Sequence, residues 1–564
     1  MGVTDFGNVN SGVRSLPRLK VELNQSWLRQ RHWSPFQWLL IGSAGLVAAL
    51  ILMVPAYLLL RVGTSWAEAW ETLSQPRTLE ILGNTLGLAA AVTAASTLIA
   101  VPLAWLTTST DLPGKRLWAV IVALPLVVPS YVAAYLFASI LTPKGLLQQI
   151  LYPIFGVERL PSFYGFPGAF LVLTLVSYPF IFLTVRSALK KMDPALVEAA
   201  RSLGLSPWRA FWRVTLPYLR PSITAGGLLV MLYTLRDFGA VTMLQYSTFT
   251  RIIYNRYLGY KLDMAAAMAL VLVLATAVIL YLEQRSQGKA RYARVSIGVA
   301  RAQTPVKLGR WRWLGLSFTG LLSFWALIVP SLGLAYWFWR GLNQDWAVKS
   351  LGAAQTNVES LLSLVEPAWH SLSASLLGAG LAMLLALPIA ILVVRRPGRL
   401  SRLFERLSYA SFALPGIVVA LAYVYFGTNY AASLYQTLPM LLIAYVILFI
   451  PQAVGAQRSS LLQVSSSLEE AAQSLGKRPS DIFRRITLPL VKPGMLAGAA
   501  LVFLTCMKEL PATLILSPLG FNTLSAEIWS NIGEAFFARA AAPTLLLLLL
   551  SSIPLAWMTL REKE

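Results

Sequence analysis

The chain has 564 residues, of which 57% are hydrophobic and 13% are charged, and its mean hydropathy is +0.63. This composition is far more apolar than that of a soluble globular protein, so it indicates an integral membrane protein. The net charge of +23 comes from Lys and Arg residues that lie between apolar runs, which fits the positive-inside rule and argues against nucleic acid as a partner.

The apolar runs predict an all-α fold with about twelve membrane-spanning helices, because a helix needs roughly 20 apolar residues to cross a bilayer. The predicted spans divide evenly between two halves, so the halves should enter the membrane in the same orientation, as two parallel six-helix repeats. The spans are expected at 36–60, 85–107, 117–141, 165–187, 222–246, 262–282, 313–338, 370–394, 408–427, 436–456, 494–516 and 542–560.

These spans divide the chain into segments. Residues 1–35 form a basic tail without a cleavable signal peptide, residues 36–282 the first half, residues 283–312 a basic linker and residues 313–564 the second half. Because the most basic segments should face the cytoplasm, both termini are predicted to be cytoplasmic. The linker is expected to lie beside anionic lipid.

One polar and basic stretch occurs twice, at a constant separation of 272 residues. The match is too long for chance, so the chain is a tandem duplication. A second correspondence pairs residues 123–125 with 413–415, which read Ala-Leu-Pro in both places. The matching pairs of the repeated stretch are Glu198/Glu470, Ala199/Ala471, Ala200/Ala472, Ser202/Ser474, Leu203/Leu475, Gly204/Gly476, Pro207/Pro479, Phe211/Phe483, Arg213/Arg485, Thr215/Thr487, Leu216/Leu488, Pro217/Pro489 and Pro221/Pro493.

The repeated stretch reads as a helix, a turn and a second short helix. Asp193 is an N-cap, Gly204 provides the left-handed residue that ends the first helix, and Ser206 precedes the second helix. The second helix is amphipathic, too short to span, and expected to end at Leu216-Pro217. An apolar face rimmed by arginines is typical of a docking surface, and the alternative is a helix that lies on lipid headgroups.

A second matched feature consists of charges within the fifth and eleventh predicted spans. Such charges cost at least a few kcal/mol, so they usually face a cavity or a partner charge. Asp237 lies roughly 24 Å along a helix counted from Pro221, toward the external side. The alternatives are an ion pair such as Arg236 with Glu509 and a lining of the translocation pathway. The charged residues are Arg236, Asp237, Lys508 and Glu509, and Gly239 and Pro511 are expected to weaken the helices just beyond them.

The pattern Glu-Ala-Ala, three residues, Gly and a basic amphipathic helix resembles the cytoplasmic loop of binding-protein-dependent ABC importer permeases. The resemblance is present twice, and the six-span unit of the family accounts for nearly the whole chain. It implies that the short helix after Gly204 or Gly476 couples to an ATPase subunit, and that Glu198 and Glu470 anchor the loop. The first copy departs in having Trp208 and Trp212 where the second has Ser480 and Arg484, so the two docking sites are not expected to be equivalent.

The resemblance implies a permease that is not itself an enzyme. No GxxxxGK[ST] motif occurs in the sequence, so ATP and magnesium are expected on a separate ATPase dimer. A periplasmic binding protein and the lipid bilayer complete the expected partners, in a bacterial inner membrane. No cofactor is expected on this chain. One cysteine, Cys506, and two histidines, His32 and His370, also argue against a metal site.

The segment 507–524 is similar to the corresponding part of fused ferric-iron permeases, which implies ferric iron as the cargo. Thiamine, sulfate and polyamine permeases share parts of this plan and remain alternatives. An ion-coupled secondary transporter is disfavoured because the charges lie toward one end of their spans. A membrane-embedded enzyme is disfavoured because no catalytic constellation is visible.

Overall fold

The computed structural model describes residues 35–286, 305–343, 361–477 and 479–561. Within these ranges the chain is helical and holds no β-sheet, although one isolated bridge joins Thr110 to Val306. The predicted all-α fold is confirmed. The expected N-terminal tail up to residue 34 and residues 287–304 of the expected linker lie outside the described residues.

The first half begins with a long apolar helix and ends with another. Between them lie long spans, two short helices in the repeated loop and further short helices on the other side of the half. Its helices are α1 (Pro35–Thr64), α2 (Trp66–Ser74), α3 (Pro76–Ser109), α4 (Lys115–Ile121), α5 (Ser130–Leu141), α6 (Leu146–Phe155), α7 (Phe166–Lys191), α8 (Pro194–Ser202), α9 (Pro207–Ala210), α10 (Leu216–Arg236), α11 (Gly239–Met243), α12 (Phe249–Leu258) and α13 (Leu262–Ser286).

The second half repeats this order from its own first span onward, except that the described residues 431–437 hold no helix in the place of α6. Its helices are α14 (Trp311–Ser323), α15 (Val329–Leu342), α16 (Val365–Arg395), α17 (Arg399–Ala410), α18 (Gly416–Tyr430), α19 (Leu438–Gln463), α20 (Ser466–Ser474), α21 (Pro479–Ile482), α22 (Leu488–Met507), α23 (Pro511–Leu516), α24 (Leu524–Gly533) and α25 (Phe537–Arg561).

Nine helices in the described part of the chain are long and apolar enough to cross a bilayer, counting α14 and α15 with the π turn between them as one. Two bent pairs of helices also qualify when each pair is taken as one span, which gives up to eleven. The predicted span 222–246 corresponds to α10 and α11, which a break separates, and α10 is not among the nine. A membrane protein of two repeats is confirmed, whereas the count of twelve stays a prediction.

Each bent pair is broken next to a proline. The bend is 96° before α5 and 107° before α18. Val128 and Leu414 precede the prolines and are extended, because a following proline ring disfavours the helical conformation. Pro129 and Pro415 therefore occupy equivalent places at the starts of α5 and α18. The predicted pairing of 123–125 with 413–415 is wrong, since Pro125 lies inside the preceding 3-10 turn.

Each repeated loop continues into the following span without a break. A π-helical turn, Phe211–Thr215 or Phe483–Thr487, joins the short helix to α10 or α22. The expected end of the short helix at Leu216-Pro217 is therefore wrong. Pro217 lies in the first turn of α10. The wider π turn before it accommodates a proline ring that has no N–H to donate.

The packing of the two halves repeats at the level of single residues. Gly226 of α10 lies directly against Thr184 of α7, and Gly498 of α22 lies directly against Ala456 of α19. Both residues of the second pair follow those of the first by 272 positions. Small residues at these crossings allow two membrane helices to approach closely, so the glycines hold the same helix pair together in each half.

A hydrogen bond outside the repeated loop also recurs in both halves, although its residues are not separated by 272 positions. The backbone N–H of Phe249, at the start of α12, donates to Thr85 Oγ1 at 3.1 Å. The backbone N–H of Leu524, at the start of α24, donates to Ser371 Oγ at 2.7 Å. Each bond ties a short helix to the second long helix of its half.

The two halves are interleaved. Helix α1 packs against α16, α17 and α18 of the second half as well as against α13 of its own half. Helix α15 likewise packs against α5 of the first half and α25 of its own. The first span of each half thus packs against the other half.

Candidate functional site

The repeated loops form the helix-turn-helix units that the sequence predicts. Asp193 Oδ1 accepts a hydrogen bond from the N–H of Ala195 at 3.0 Å and caps α8. In the second copy Ser465 Oγ accepts from the N–H of Ser467 at 3.3 Å and caps α20. Gly204 and Gly476 follow with φ of +85° and +76°, a conformation in which a side chain would be strained.

The repeated pattern of the loops has an inward and an outward face. Ala200 and Ala472 are buried beneath the loops. The carboxylates of Glu198 and Glu470 are exposed and, among the described residues, make no hydrogen bond or ion pair. Ala199, Ala471, Arg213 and Arg485 are also exposed, Pro207 begins α9 and Pro479 begins α21. These glutamates are thus free to meet a partner, and the expectation that they anchor the loops stays a prediction.

The residue that ties the second loop to its own half is the neighbouring Glu469. Its carboxylate forms an ion pair with Arg395 of α16, with Nε and Oε2 3.0 Å apart. Thr487 Oγ1 donates to Glu469 Oε1 at 2.7 Å, and Arg395 Nη2 donates to the carbonyl of Val464 at 3.1 Å. Sequence reasoning missed this ion pair because Glu469 and Arg395 are distant in the chain and Glu469 lies outside the repeated pattern.

The first loop is tied by aromatic contacts instead. Phe211 packs edge-on against Trp105 of α3, with ring centroids 5.6 Å apart. Trp208 stacks on Phe211 at 6.0 Å and contacts Trp212 at 5.7 Å. Val197 stands 272 positions before Glu469, so the first loop has no equivalent carboxylate. The two loops share their backbone plan and differ in how they attach.

The matched charges lie where the helices break. Helix α10 ends at Arg236 and α22 ends at Met507, so the breaks include Asp237, Lys508 and Glu509. The expectation that Gly239 and Pro511 weaken the helices just beyond the charges is wrong in position, because the breaks begin at Asp237 and Lys508. The physical reason is that the acidic residues act as caps for the next short helices, which requires them to leave the preceding helix.

Both acidic side chains accept hydrogen bonds from backbone N–H groups. Asp237 is buried, and its Oδ1 accepts from Ala240 at 2.9 Å and from Val241 at 3.3 Å. Glu509 Oε1 accepts from Ala512 at 3.1 Å. These bonds satisfy the first N–H groups of α11 and α23 and give both carboxylates a structural role.

Each carboxylate also lies against the first residue after a broken-helix proline. Ser130, after Pro129, lies next to the carboxylate of Asp237. Gly416, after Pro415, leaves room for Glu509, because a Cβ at this glycine would lie 2.5 Å from Glu509 Oε1. The shorter side chain of Asp237 thus lies against Ser130, and the longer side chain of Glu509 lies against Gly416. In each half, the residue after the proline break and the acidic residue at the other break are complementary in size.

The charges also connect the two halves. Lys508 Nζ donates to the backbone carbonyl of Leu126 in the first half at 2.9 Å. Arg236 is close enough to Glu509 for their charges to interact. No ion pair within 4 Å forms between these two side chains among the described residues, so the expected pair is an electrostatic neighbour rather than a direct contact.

An aromatic cluster closes the interface between the halves next to these charges. Phe238 is buried, with its ring centroid 4.8 Å from Tyr254 and 5.1 Å from Trp529 of the second half. This cluster fills the space between α12 and α24. In the conformation seen here, the ring of Phe238 occupies the boundary at which the two halves meet.

The described residues contain no group of three or more His, Cys, Asp or Glu side chains that could hold a metal ion. The site therefore consists of two parts, the paired loops on one side of the membrane domain and the charged breaks between the halves. Its geometry suits the transmission of motion from the loops through α10 and α22 to the breaks, because each loop is continuous with one of these helices.

Comparison with known proteins agrees with this arrangement. The family described as binding-protein-dependent transport system inner membrane component matches residues 100–288 and 378–563. The Fe(3+)-transport system permease protein FbpB 2 of Haemophilus influenzae is 34% identical over 86% of this chain and 90% of that protein. The putative ferric transport system permease protein FbpB 1 of the same organism is 27% identical, over 80% of this chain and 72% of that protein.

A third relative is the ferric transport system permease protein FbpB of Actinobacillus pleuropneumoniae, which is 25% identical over 83% of this chain and 69% of that protein. The family match occurs once in each half, as the duplication requires. The chain therefore belongs to the family of binding-protein-dependent inner-membrane transport components, the permeases of ABC transporters.

Proposed function

We propose that this chain is the membrane subunit of an ATP-driven importer that moves ferric iron into the cytoplasm. The observation that carries the proposal is the similarity to FbpB 2 of Haemophilus influenzae, which extends over 86% of this chain. A match over 86% of the chain must include both halves, because neither half alone is that long. Two further relatives whose names include ferric transport match more than two thirds of their own lengths.

In this proposal the ATPase is a separate dimer that binds under the two repeated loops. The exposed Glu198 and Glu470 and the short helices that follow Gly204 and Gly476 are its contacts. ATP and magnesium bind to that dimer. The absence of a GxxxxGK[ST] motif from the whole sequence supports a separate source of energy.

The mechanism follows from the continuity of the helices. When the ATPase dimer closes, the two loops approach each other and move α10 and α22 with them, because a π turn joins each loop to its helix. The outer ends of these helices are the charged breaks at Asp237 and Glu509. The two halves then rock about the boundary filled by Phe238 and alternately open the pathway to each side.

Iron reaches this pathway from a periplasmic binding protein on the face opposite the loops, with both termini of the chain in the cytoplasm. Arg236, Asp237, Lys508 and Glu509 are the proposed polar residues of the pathway. The capping bonds of Asp237 and Glu509 support a role in holding the breaks in shape. Arg236, Lys508 and Glu509 are partly buried, whereas Asp237 is buried, so these three are the members of this set that the cargo could approach.

Radioactive ferric-iron uptake in cells lacking this gene tests the proposal. The strains compared carry no copy, the wild-type gene, the Glu198→Ala/Glu470→Ala variant or the Glu68→Ala/Glu71→Ala variant, which removes two exposed acids elsewhere on α2. We expect uptake with the wild type and the α2 control and loss of uptake with the loop variant. Equal uptake in all four strains would overturn the iron assignment, and thiamine would be the next cargo to test.

A further inference from the structure

The two repeated loops are attached to the membrane domain by different chemistry. The first loop rests on the contact between Phe211 and Trp105, and the second is held by the ion pair of Glu469 with Arg395. The backbone of the two loops is otherwise the same, with a cap, a left-handed glycine and a π turn in each. The difference therefore lies in side chains rather than in fold.

The outward surfaces of the two loops also differ, because one carries tryptophans and the other carries an arginine. Trp208 and Trp212 are 64% and 52% exposed and contact each other. The residue 272 positions after Trp212 is Arg484, which is exposed. Neighbouring exposed tryptophans form an apolar patch of the kind found at the centres of protein interfaces. The first loop therefore presents an aromatic surface where the second presents a cation.

Other exposed positions are common to both loops. Leu203 and Leu475, which precede the glycines, are 85% and 81% exposed. Arg213 and Arg485 are exposed as well. A leucine and an arginine at matched places indicate that a partner of the same general shape meets both loops. The two contacts diverge where Trp208, Arg209 and Trp212 of the first loop are matched by Ser480, Asp481 and Arg484 of the second.

We propose that the ATPase partner meets the first loop through an apolar surface and the second loop through a surface with a carboxylate opposite Arg484. This inference rests on the proposed function, since the partner is the ATPase named there. An apolar contact keeps its strength as salt rises, whereas an exposed pair of charges is screened. The two loops thus hold the ATPase with different dependence on salt.

The repeat itself argues for a protein surface rather than for lipid at the tryptophans. Because the two loops are equivalent in the duplication, they lie at the same depth relative to the bilayer. Headgroups at that depth would meet both loops alike and would favour the same side chains in both. The exchange of Trp212 for Arg484 instead follows the attachment of each loop, which is apolar in the first copy and ionic in the second.

The test uses the complex of the full chain with the ATPase that co-purifies with it. The matched variants are Trp212→Ala and Arg484→Ala, which truncate the same position of the two loops, and Trp212→Phe is included to retain an aromatic ring. The immobilised complex is washed with KCl from about 0.1 M to about 1 M, over which the Debye length falls from roughly 10 Å to roughly 3 Å. The retained ATPase is measured at each step.

We expect the Trp212→Ala complex to lose its ATPase at least about tenfold faster than the wild type at high salt, because a larger share of the contact is then ionic. The Arg484→Ala complex should retain less ATPase at low salt and change less with salt than the wild type. Trp212→Phe should resemble the wild type. The same salt dependence in the Trp212→Ala and Arg484→Ala complexes, or the reverse order, would overturn the inference.

The outcomes also separate this inference from the proposed function. If no ATPase co-purifies with the wild-type chain, the proposed function fails. If the wild type retains an ATPase and the two alanine variants behave like it at every salt concentration, the proposed function stands and the difference between the loops fails.

Discussion

Lys508 of the second half donates a hydrogen bond to the backbone carbonyl of Leu126 in the first half, with Nζ and O 2.9 Å apart. Leu126 lies in the turn before the break at Pro129, and Lys508 lies in the break between α22 and α23. The bond therefore joins a broken helix of one half to a broken helix of the other. A movement that separates the halves at this point must break it.

Replacing Lys508 with Met should weaken the association of the two halves. The carbonyl of Leu126 loses its bond from Lys508, which costs about 1–3 kcal/mol when the group stays away from water. The measurement is co-elution of the halves in detergent after cleavage at a protease site inserted in residues 287–304. Lys115→Met is the control, because Lys115 Nζ donates to the carbonyl of Thr110 within the first half, at 3.0 Å. Equal co-elution of the two variants would contradict the bridging role of Lys508.

The fit between Gly416 and Glu509 predicts a rescue. Gly416→Ala should lower uptake and thermal stability, since the added methyl group would lie 2.5 Å from Glu509 Oε1. The double variant Gly416→Ala/Glu509→Asp should recover most of the loss, because the first half combines a side chain at Ser130 with the shorter Asp237. Gly380→Ala, where a Cβ meets nothing within 4 Å, controls for the loss of a glycine. Additive losses in the double variant would show that the two positions are not fitted to each other.

The close crossing of α7 and α10 predicts a difference between two adjacent glycines. Gly226→Ala should destabilise the protein by about 1–3 kcal/mol, because the methyl group enters space held by Thr184 and Ile181. Gly227→Ala should have little effect, since its Cβ would make an ordinary 3.5 Å contact with Thr93. Thermal unfolding of the two purified variants compares them directly. Similar melting temperatures would mean that the crossing is less tight than described.

Substitutions of the adjacent residues Glu469 and Glu470 should affect different properties of the protein. Glu469→Gln should loosen the second loop, detected as faster proteolysis near residue 477, because it breaks the ion pair with Arg395. Glu470→Gln should leave proteolysis unchanged and reduce ATP-dependent uptake, because its exposed carboxylate has no partner among the described residues. If both variants altered proteolysis equally, the division between an inner anchor and an outer contact would be wrong.

The repeated loop was the part of the structure that the sequence predicted best. Its caps, its left-handed glycines and its second helix depend on neighbouring residues, and such local signals are readable from one chain. The continuation of that helix through Pro217 was not predicted, because proline ends a helix in most places and is tolerated only in the first turn.

The breaks at Asp237 and Glu509 were harder to predict. The sequence shows charges in an apolar run, and it does not show that each carboxylate bonds to the backbone of the next short helix. The contacts of Lys508 with Leu126 and of Phe238 with Trp529 join residues from different halves, so no local pattern reveals them. The match of residues 123–125 with 413–415 was misleading in the same region. The proline equivalent to Pro415 is Pro129, which lies four residues after Pro125.

The central claim is that this chain passes ferric iron when a separate ATPase drives it. The most direct measurement is radioactive iron accumulation in proteoliposomes that contain the chain, its co-purified ATPase and the periplasmic binding protein loaded with ferric ion. We predict accumulation with ATP on the ATPase side, none with ADP, and none for the Glu198→Ala/Glu470→Ala chain with ATP. Accumulation of thiamine or sulfate but not of iron, with its own binding protein and under the same conditions, would contradict the account.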